Sequence, residues 1–196
     1  MNFVTDPARP WLGGSCEGGD PATYYPELWN WLVKDRGVQS VIDVGCGEGI
    51  AVKYFSSLGC VVRGIEGIKQ KHLSITEHDY TTGPFKLPAW ARPFDLCWSC
   101  EFVEHVEEEY VPNFLATFMC AKMVMMTHAW PNQDGYHHVN CQTPDYWKGA
   151  MAAIGYRYDY TLTQIARAYA GFNKNPWNHF ERSGMAFIKN DNKKRK

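Results

Sequence analysis

Long apolar segments and a strong net charge are both missing from this chain of 196 residues. No apolar run approaches the ~18 residues of a membrane-spanning helix, and no signal-peptide pattern or internal repeat is present. The 20 basic and 21 acidic side chains leave a formal charge of −1, which gives no overall field to attract nucleic acid. A hydrophobic content of 45% indicates one globular domain, which we expect to be cytoplasmic.

The cysteines do not follow a disulfide framework. There are seven, an odd number, and five occur in apolar strand or helix contexts: Cys46, Cys60, Cys97, Cys100 and Cys120. This usage is typical of a reducing compartment. Cys97 and Cys100 have the spacing of a redox pair, but they lie along an apolar strand pattern without a following helix start. We therefore predict that they pack in the core.

The most informative segment covers residues 41–50 and reads Val-Ile-Asp-Val-Gly-Cys-Gly-Glu-Gly-Ile. An apolar strand leads directly into glycines at positions 45, 47 and 49, which permit a sharp turn and a close approach of the backbone to a ligand. A dinucleotide fingerprint requires Gly-x-Gly-x-x-Gly, whereas here the third glycine comes one residue early. Asp43 also lies inside the strand. An ordinary glycine turn between a strand and a helix is the alternative interpretation.

Asp-x-Gly-x-Gly-x-Gly resembles motif I of the class I S-adenosylmethionine-dependent methyltransferases, matching at Asp43, Gly45, Gly47 and Gly49. The resemblance implies S-adenosylmethionine as the cofactor and a Rossmann-like fold. An acid near the turn suits this cofactor, because it has no phosphate and carries an ammonium and a sulfonium. It also implies an acid at the end of the second strand that binds the ribose hydroxyls. Glu66 has this position, 23 residues after Asp43.

The same resemblance implies that an acid after the third strand accepts from the adenine amine and that a neighbouring ring packs on the base. Asp79 and Tyr80 have these positions, although Asp79 is equally typical of a turn. The predicted cofactor-binding residues are therefore Asp43, Gly45, Cys46, Gly47, Glu66, Asp79, Tyr80 and Glu101.

Strand and helix patterns alternate after residue 40, which predicts an α/β three-layer sandwich with a mostly parallel sheet. The predicted strands are 41–44, 61–66, 74–79, 94–100, 123–128, 156–162 and 184–189. The predicted helices are 26–34, 49–57, 111–121 and 144–154. The last two strands lack a clear crossover helix between them, so we expect one to be antiparallel. The resemblance also implies seven strands with the last one antiparallel.

The chain is predicted to have three parts. Residues 1–37 form an arm and a first helix, in which Trp11, Tyr24 and Tyr25 either cover a bound ligand or pack against the sheet edge. Residues 38–190 form the methyltransferase domain. Residues 191–196 form a basic tail that we expect to be disordered.

An acid and histidine cluster follows the fourth predicted strand. Glu101, Glu104 and His105 are spaced so that one helical turn would point all three in the same direction. The string Glu-x-x-Glu-His is similar to one in ubiquinone-pathway and small-RNA 3′-end methyltransferases, which implies divalent-metal ligands. Relatives without metal carry much the same string, and there Glu101 serves the cofactor pocket. We assign no metal ligand from the sequence and leave the alternative open.

Further histidines follow the fifth predicted strand. His128 is at its end, and His137 and His138 lie in the loop beyond it. Since ligands bind beyond the carboxyl ends of parallel strands, we expect these side chains at the acceptor site. The predicted catalytic residues are His105, His128 and His138, which would orient the acceptor or take its proton.

These patterns predict a methyltransferase that acts on an oxygen or nitrogen of a small molecule, a sugar or an exposed side chain. A nucleic acid acceptor stays open, and so does the oligomeric state. Two other classes are alternatives: an NAD-dependent oxidoreductase on the same fold, and a non-catalytic nucleoside-binding domain.

Overall fold

A seven-stranded sheet with helices on both faces forms the centre of the protein in the computed structural model, which describes residues 3–87 and 93–190. The predicted tail, residues 191–196, lies outside the described residues. The strands are β1 (Phe3–Val4), β2 (Ser15–Cys16), β3 (Ser40–Val44), β4 (Val61–Glu66), β5 (Ile75–Glu77), β6 (Phe94–Ser99), β7 (Ala121–Met126), β8 (Tyr156–Tyr158) and β9 (Met185–Lys189). The helices are α1 (Pro26–Lys34), α2 (Ile50–Ser57), α3 (Val111–Phe118), α4 (Pro144–Ala153), α5 (Tyr160–Ala170) and α6 (His179–Ser183).

The strand order in the large sheet is β5-β4-β3-β6-β7-β9-β8. Strand β9 runs antiparallel to both of its neighbours, while the pairs from β5 to β7 are parallel. The predicted sheet, with its last strand antiparallel, is therefore confirmed. The chain winds outward in opposite directions from β3 and β6, which makes the carboxyl ends of these strands the expected place for a ligand.

The core lies on both faces of this sheet because adjacent residues of a strand point to opposite sides. Ile42 and Cys97 pack on the face covered by α3 and α4, whereas Val41 and Leu96 pack on the face covered by α1, α2 and α5. Cys97 is fully buried. The predicted three-layer arrangement follows from this alternation.

The region between the last two strands differs from the prediction. Strand β8 ends at Tyr158, so the predicted strand 156–162 is wrong in its second half, and two helices, α5 and α6, connect β8 to β9. Asp159 begins α5 by accepting a hydrogen bond from the Leu162 backbone N–H at 3.0 Å. Leu162, Ala166 and Ala170 then share one buried face of α5.

The N-terminal arm, residues 3–25, lies over the carboxyl edge of the sheet. Its strands β1 and β2 pair antiparallel. Arg9 forms an ion pair with Glu77 at 2.8 Å, and the Trp11 indole N–H donates to Asp79 at 2.9 Å. Helix α1 instead packs in the core, where Trp29 is fully buried. Among the described residues, no helix is long and apolar enough to cross a membrane.

Candidate functional site

A cavity of about 260 Å³ opens at the carboxyl ends of β3, β4 and β6, under the N-terminal arm. Most of the predicted site residues line it: Asp43, Gly45, Cys46, Gly47, Glu66, Glu101, His105 and His138. The arm supplies a further wall through residues that include Leu12, Ser15 and Asp20. The structure thus brings eight of the predicted residues to one cavity, whereas the arm aromatics that the sequence singled out, Trp11, Tyr24 and Tyr25, do not line it.

The glycine turn after β3 forms the floor of the cavity. Gly45, Gly47 and Gly49 have φ angles of 73°, 51° and 79°, a region that side chains strongly disfavour. A side chain at Gly45 would also collide with Phe102. The Gly45 N–H donates to the Ile65 carbonyl at 2.9 Å, so the turn lies against the end of β4.

Two carboxyl groups face this turn. Glu66 accepts hydrogen bonds from the backbone N–H groups of Gly47 at 2.7 Å and Ile68 at 3.3 Å. Burial raises the pKa of Glu66, and these N–H groups oppose the effect. Burial, with a smaller contribution from the charge of Glu66, raises the pKa of Asp43 to about 8. The site thus contains an acid that is largely protonated near neutral pH when no ligand is bound.

A smaller cavity lies next to the first and shares Leu12 and His105 with it. Asp79 borders it and accepts hydrogen bonds from Trp11 at 2.9 Å and from the Thr81 N–H at 2.8 Å. Burial would raise the pKa of Asp79, but these hydrogen bonds outweigh it and the pKa is lowered. Asp79 is therefore an ionised hydrogen-bond acceptor beside the space in which the resemblance places the adenine ring.

Tyr80 departs from its predicted role. It borders the smaller cavity, but its side chain is only 5% exposed, and its hydroxyl donates to Thr117 at 3.0 Å. The ring packs edge-to-face against Phe102 and Phe114. It belongs to the core and is not free to stack on a base. Trp11, which is 40% exposed, is the aromatic side chain of this cavity that faces solvent.

The structure places His128 outside both cavities, so it does not join His105 and His138 there as predicted. Strand β7 ends at Met126, and the next residues turn inward. The backbone N–H of His128 contacts the Ser183 hydroxyl at 3.4 Å, and its ring packs against Trp130. The side chain is 2% exposed, and this burial lowers its pKa.

His105 and His138 meet with Glu104 in one cluster, in which one potential ligand atom of each residue lies within 4.8 Å of the others. Each histidine places Nδ1 near a backbone carbonyl, at 3.1 Å, which leaves Nε2 with its lone pair. Burial is the main cause that lowers the pKa of His105 to about 4, so this ring is neutral.

Glu104 is the most unusual member of this cluster. Its side chain is fully buried, and no donor reaches either carboxylate oxygen, although the carboxyl group of Glu101 lies close enough for a hydrogen bond if one of the two acids is protonated. Burial, followed by the charge of Glu101, raises its pKa well above the usual range. A buried carboxyl group without a partner is either protonated or neutralised by a cation.

Glu101 lies beside Glu104, but it is not part of the possible metal-binding group and is held by a second cluster. Its φ of 54° is in the left-handed region, and its N–H donates to the Thr127 hydroxyl at 2.7 Å, which donates in turn to the Glu101 carboxylate at 2.9 Å. The other carboxylate oxygen lies 3.0 Å from His179 Nδ1, and His179 Nε2 lies 3.3 Å from Asp20. Burial opposes protonation of His179, but the two carboxylates raise its pKa to about 9.

Sequence reasoning missed His179, which contacts Glu101, and Asp20, which contacts His179. Asp20 and His179 are 159 residues apart along the chain and occur in segments without a recognisable motif. His179 begins α6, the short helix that the sequence did not predict.

The charge of the large cavity is mainly negative. Five carboxyl groups are found among its lining residues: Asp20, Asp43, Glu48, Glu66 and Glu101. No lysine or arginine is found among the described residues that line it. Such a lining favours a cationic ligand over a phosphorylated one.

Comparisons with known proteins find similar solved structures but no similar sequences. No protein family and no curated protein matches the chain. The solved structure of Streptomyces venezuelae DesVI matches with a TM-score of 0.61 and 14% identity, covering 95% of this chain and 100% of that chain. A TehB-like SAM-dependent methyltransferase from Corynebacterium glutamicum matches with a TM-score of 0.56 and 16% identity, covering 88% and 90%.

A third similar structure is the 1,6-didemethyltoxoflavin-N1-methyltransferase from Burkholderia thailandensis, with bound 1,6-didemethyltoxoflavin and S-adenosylhomocysteine. Its TM-score is 0.57 and its identity 13%, covering 84% of this chain and 77% of that chain. At such identities the likeness establishes the fold. The chain has the Rossmann-like fold of the class I S-adenosylmethionine-dependent methyltransferases, as its sequence predicted.

Proposed function

We propose that this protein, given its class I methyltransferase fold, is an S-adenosylmethionine-dependent methyltransferase. The observation that carries the proposal is the meeting of the glycine turn with Asp43 and Glu66 in one acidic cavity. S-adenosylmethionine is a cation with an ammonium and a sulfonium, so it suits carboxyl groups that would repel a pyrophosphate.

Each acid has a distinct role in this proposal. Glu66 accepts hydrogen bonds from the ribose hydroxyls, and Asp79 accepts from the exocyclic amine of adenine. Asp43 ionises beside the positive charge of the amino acid end. Because Gly47 has no side chain, the ligand can lie directly against the backbone of the turn.

Methyl transfer itself depends mainly on alignment. S-adenosylmethionine supplies an activated methyl group, and an acceptor oxygen or nitrogen attacks it in line as the carbon–sulfur bond breaks. His105 and His138 hold the acceptor through the free Nε2 lone pairs, which accept hydrogen bonds from its O–H or N–H. The arm excludes water from the cavity, which supports the alignment.

The acceptor that suits this cavity is a small uncharged or cationic molecule, such as a sugar or an amine. Carboxyl groups without a facing lysine or arginine disfavour phosphorylated acceptors, and among them nucleic acid, whose affinity comes largely from phosphate contacts. The same argument disfavours NAD, whose pyrophosphate would meet Asp43 and Glu66.

Thermal unfolding with S-adenosylmethionine, S-adenosylhomocysteine and NAD tests the proposal. Stabilisation by the first two ligands and not by NAD is expected. Formation of S-adenosylhomocysteine in the presence of candidate amines and sugars then separates an enzyme from a non-catalytic nucleoside-binding domain. Stabilisation by NAD alone would overturn the proposal.

We also propose that the cluster of Glu104, His105 and His138 binds a divalent cation, which the sequence left open. The unpartnered, fully buried Glu104 carboxylate supports this, because one carboxylate and two imidazoles are a donor set that suits first-row divalent metals. Such a cation would occupy the two Nε2 lone pairs, so it would hold the acceptor oxygen in place of the imidazoles and lower the pKa of the acceptor hydroxyl. Glu101 stays outside this set because Thr127 and His179 already hold its carboxylate.

A further inference from the structure

The N-terminal arm is fastened to the segment between α5 and α6. The Asn173 side-chain amide donates to the backbone carbonyls of Pro21 at 3.2 Å and Tyr24 at 2.8 Å. The hydroxyl of Tyr25 accepts from the Phe180 N–H at 3.0 Å. The wall of the cavity that the arm provides is thus supported by a part of the chain far away in sequence.

One contact between the arm and this segment is an ion pair, and its carboxylates line the cavity. His179 lies between Asp20 of the arm and Glu101 at the end of β6, with one ring nitrogen toward each carboxylate. The side chains of all three are about one-fifth exposed. Both ring nitrogens donate only when the imidazole is doubly protonated, so the bridge requires the cationic form.

We propose that His179 is a positioning residue that joins the arm to Glu101 and thereby holds the cavity closed over the cofactor. The inference rests on the proposed function for the identity of the ligand but not for the closure itself. Asp20 and Glu101 both line the cavity, so a cation between them replaces a repulsion between two carboxylates with two ion pairs.

The two ends of this bridge are fixed by their own contacts. Asp20 accepts the Ala22 N–H at 2.8 Å, which orders the turn at residues 21–23. Glu101 is held by Thr127 through its backbone and its carboxylate. Because both carboxylates are held by their own contacts, loss of the imidazolium would not reorient them but would let the arm move away from the cavity.

The expected consequence that can be measured without turnover is a loss of ligand affinity. Opening the arm would remove Asp20, Leu12 and Ser15 from the wall of the cavity. It would not move Asp43 or Glu66, which belong to the sheet. His179 variants should therefore release S-adenosylhomocysteine faster than the unmodified protein does.

The test compares His179→Gln, Asp20→Asn and the double variant by calorimetric titration with S-adenosylhomocysteine. Each single substitution should weaken binding about tenfold, and the second should add less than about twofold, because both remove the same bridge. His72→Gln, a histidine outside both cavities, is the matched control and should bind like the unmodified protein. Additive losses, or unchanged affinity in both single variants, would overturn the proposal.

The pH dependence of ligand affinity distinguishes the charged bridge from a purely structural role of His179, which would not change with pH. The charged groups that face His179 are Asp20 and Glu101, with Glu104 farther away and Glu181 and Arg182 on its own helix. Affinity of the unmodified protein should fall as the pH rises through about 9, where the pKa of His179 lies. His179→Gln should bind the ligand weakly, with an affinity that does not change over this pH range. A parallel fall in the affinity of that variant would contradict the bridge.

Hydrogen exchange of the ligand-free protein separates this proposal from the proposed function. Backbone amides of the arm, including those of Ala22 and Thr23, should exchange about tenfold faster in His179→Gln and in Asp20→Asn than in the unmodified protein or His72→Gln. This result would support the closure even if no S-adenosylmethionine derivative binds. Equal exchange in all four proteins would refute it, whatever the cofactor is.

Discussion

The carboxylate of Glu66 accepts the backbone N–H of Gly47 at 2.7 Å, so the end of β4 is fastened directly to the glycine turn after β3. The acid that the sequence assigns to the ribose thus has a second task in the ligand-free protein. It holds the turn at a φ that only glycine adopts easily. Substitutions of Glu66 must separate these two tasks.

Glu66→Ala is expected to weaken S-adenosylhomocysteine binding by about 2–4 kcal/mol, because charge-assisted hydrogen bonds to the ribose are lost and the turn loosens. Glu66→Gln keeps an acceptor for the Gly47 N–H and should lose about half as much. Isothermal titration measures both. Glu27→Gln on the exposed side of α1 is the control, and equal affinity of all three variants would remove Glu66 from the site.

Glycine at position 47 offers a matched test of the space above the turn. Gly47→Val and Gly37→Val place a branched side chain at φ angles of 51° and 69°, and in neither would the new Cβ meet an atom closer than 3.5 Å. Both should lose stability, by roughly 1–2 kcal/mol or more, from the left-handed backbone. Only Gly47→Val should lose cofactor binding, because its side chain enters the cavity. Binding by Gly47→Val at the affinity of Gly37→Val would contradict the assignment of the turn.

The central sheet could be predicted because its strands carry local signals. Buried parallel strands such as β3 and β6 read as continuous apolar runs, and the glycine turn marks where the first of them ends. Helix α5 escaped prediction because Tyr156, Tyr158 and Tyr160 continue an aromatic strand pattern across the Asp159 cap. Its buried face depends on packing against α1 and β9, which local sequence does not show.

The positions of Asp43, Glu66 and Glu101 could be predicted because these acids lie at or just beyond the carboxyl ends of parallel strands, which meet at one edge of the sheet. The direction of side chains beyond the strand ends could not be predicted. The strand alternation stops when β7 ends at Met126, so the direction of His128 could not be read from spacing. The pairing of Asp20 with His179 depends on two irregular segments that meet only in the folded chain.

Cofactor binding should release a proton from Asp43. In the ligand-free protein its pKa is raised to about 8, so the group is mainly protonated at pH 7. A cationic ligand favours the carboxylate, and close to one proton should therefore leave per S-adenosylmethionine bound at pH 7. Titration calorimetry in two buffers of different ionisation enthalpy measures this number.

The sign of this linkage sets the pH profile. Because protons are released on binding, affinity should increase as the pH rises toward about 8, where Asp43 becomes ionised in the free protein, and only the decrease caused by His179 near pH 9 should follow. Asp43→Asn should bind without proton release. A buffer-independent enthalpy in the unmodified protein would show that Asp43 does not face the positive charge of the ligand.

The cluster of Glu104, His105 and His138 gives the last prediction. After dialysis against Mn²⁺ or Zn²⁺, the protein should retain about one metal ion per chain by elemental analysis, and Glu104→Gln should retain none. Bound metal should also raise the stability of the unmodified protein, by about 2.7 kcal/mol at a free concentration one hundred times the dissociation constant. Chelator should remove both effects while S-adenosylhomocysteine binding continues, because Asp43 and Glu66 belong to the other part of the cavity.

Glu104→Gln also separates the two states that a buried, unpartnered carboxyl group permits. A neutral amide of similar shape replaces a protonated carboxyl group at little cost, so a variant as stable as the metal-free parent, combined with no metal uptake by the parent, would show that Glu104 is simply protonated. If Glu104 is instead a metal ligand, the parent and the variant should differ in stability only when metal is present. Comparing unfolding of both proteins with and without chelator therefore decides the role of this residue without reference to turnover.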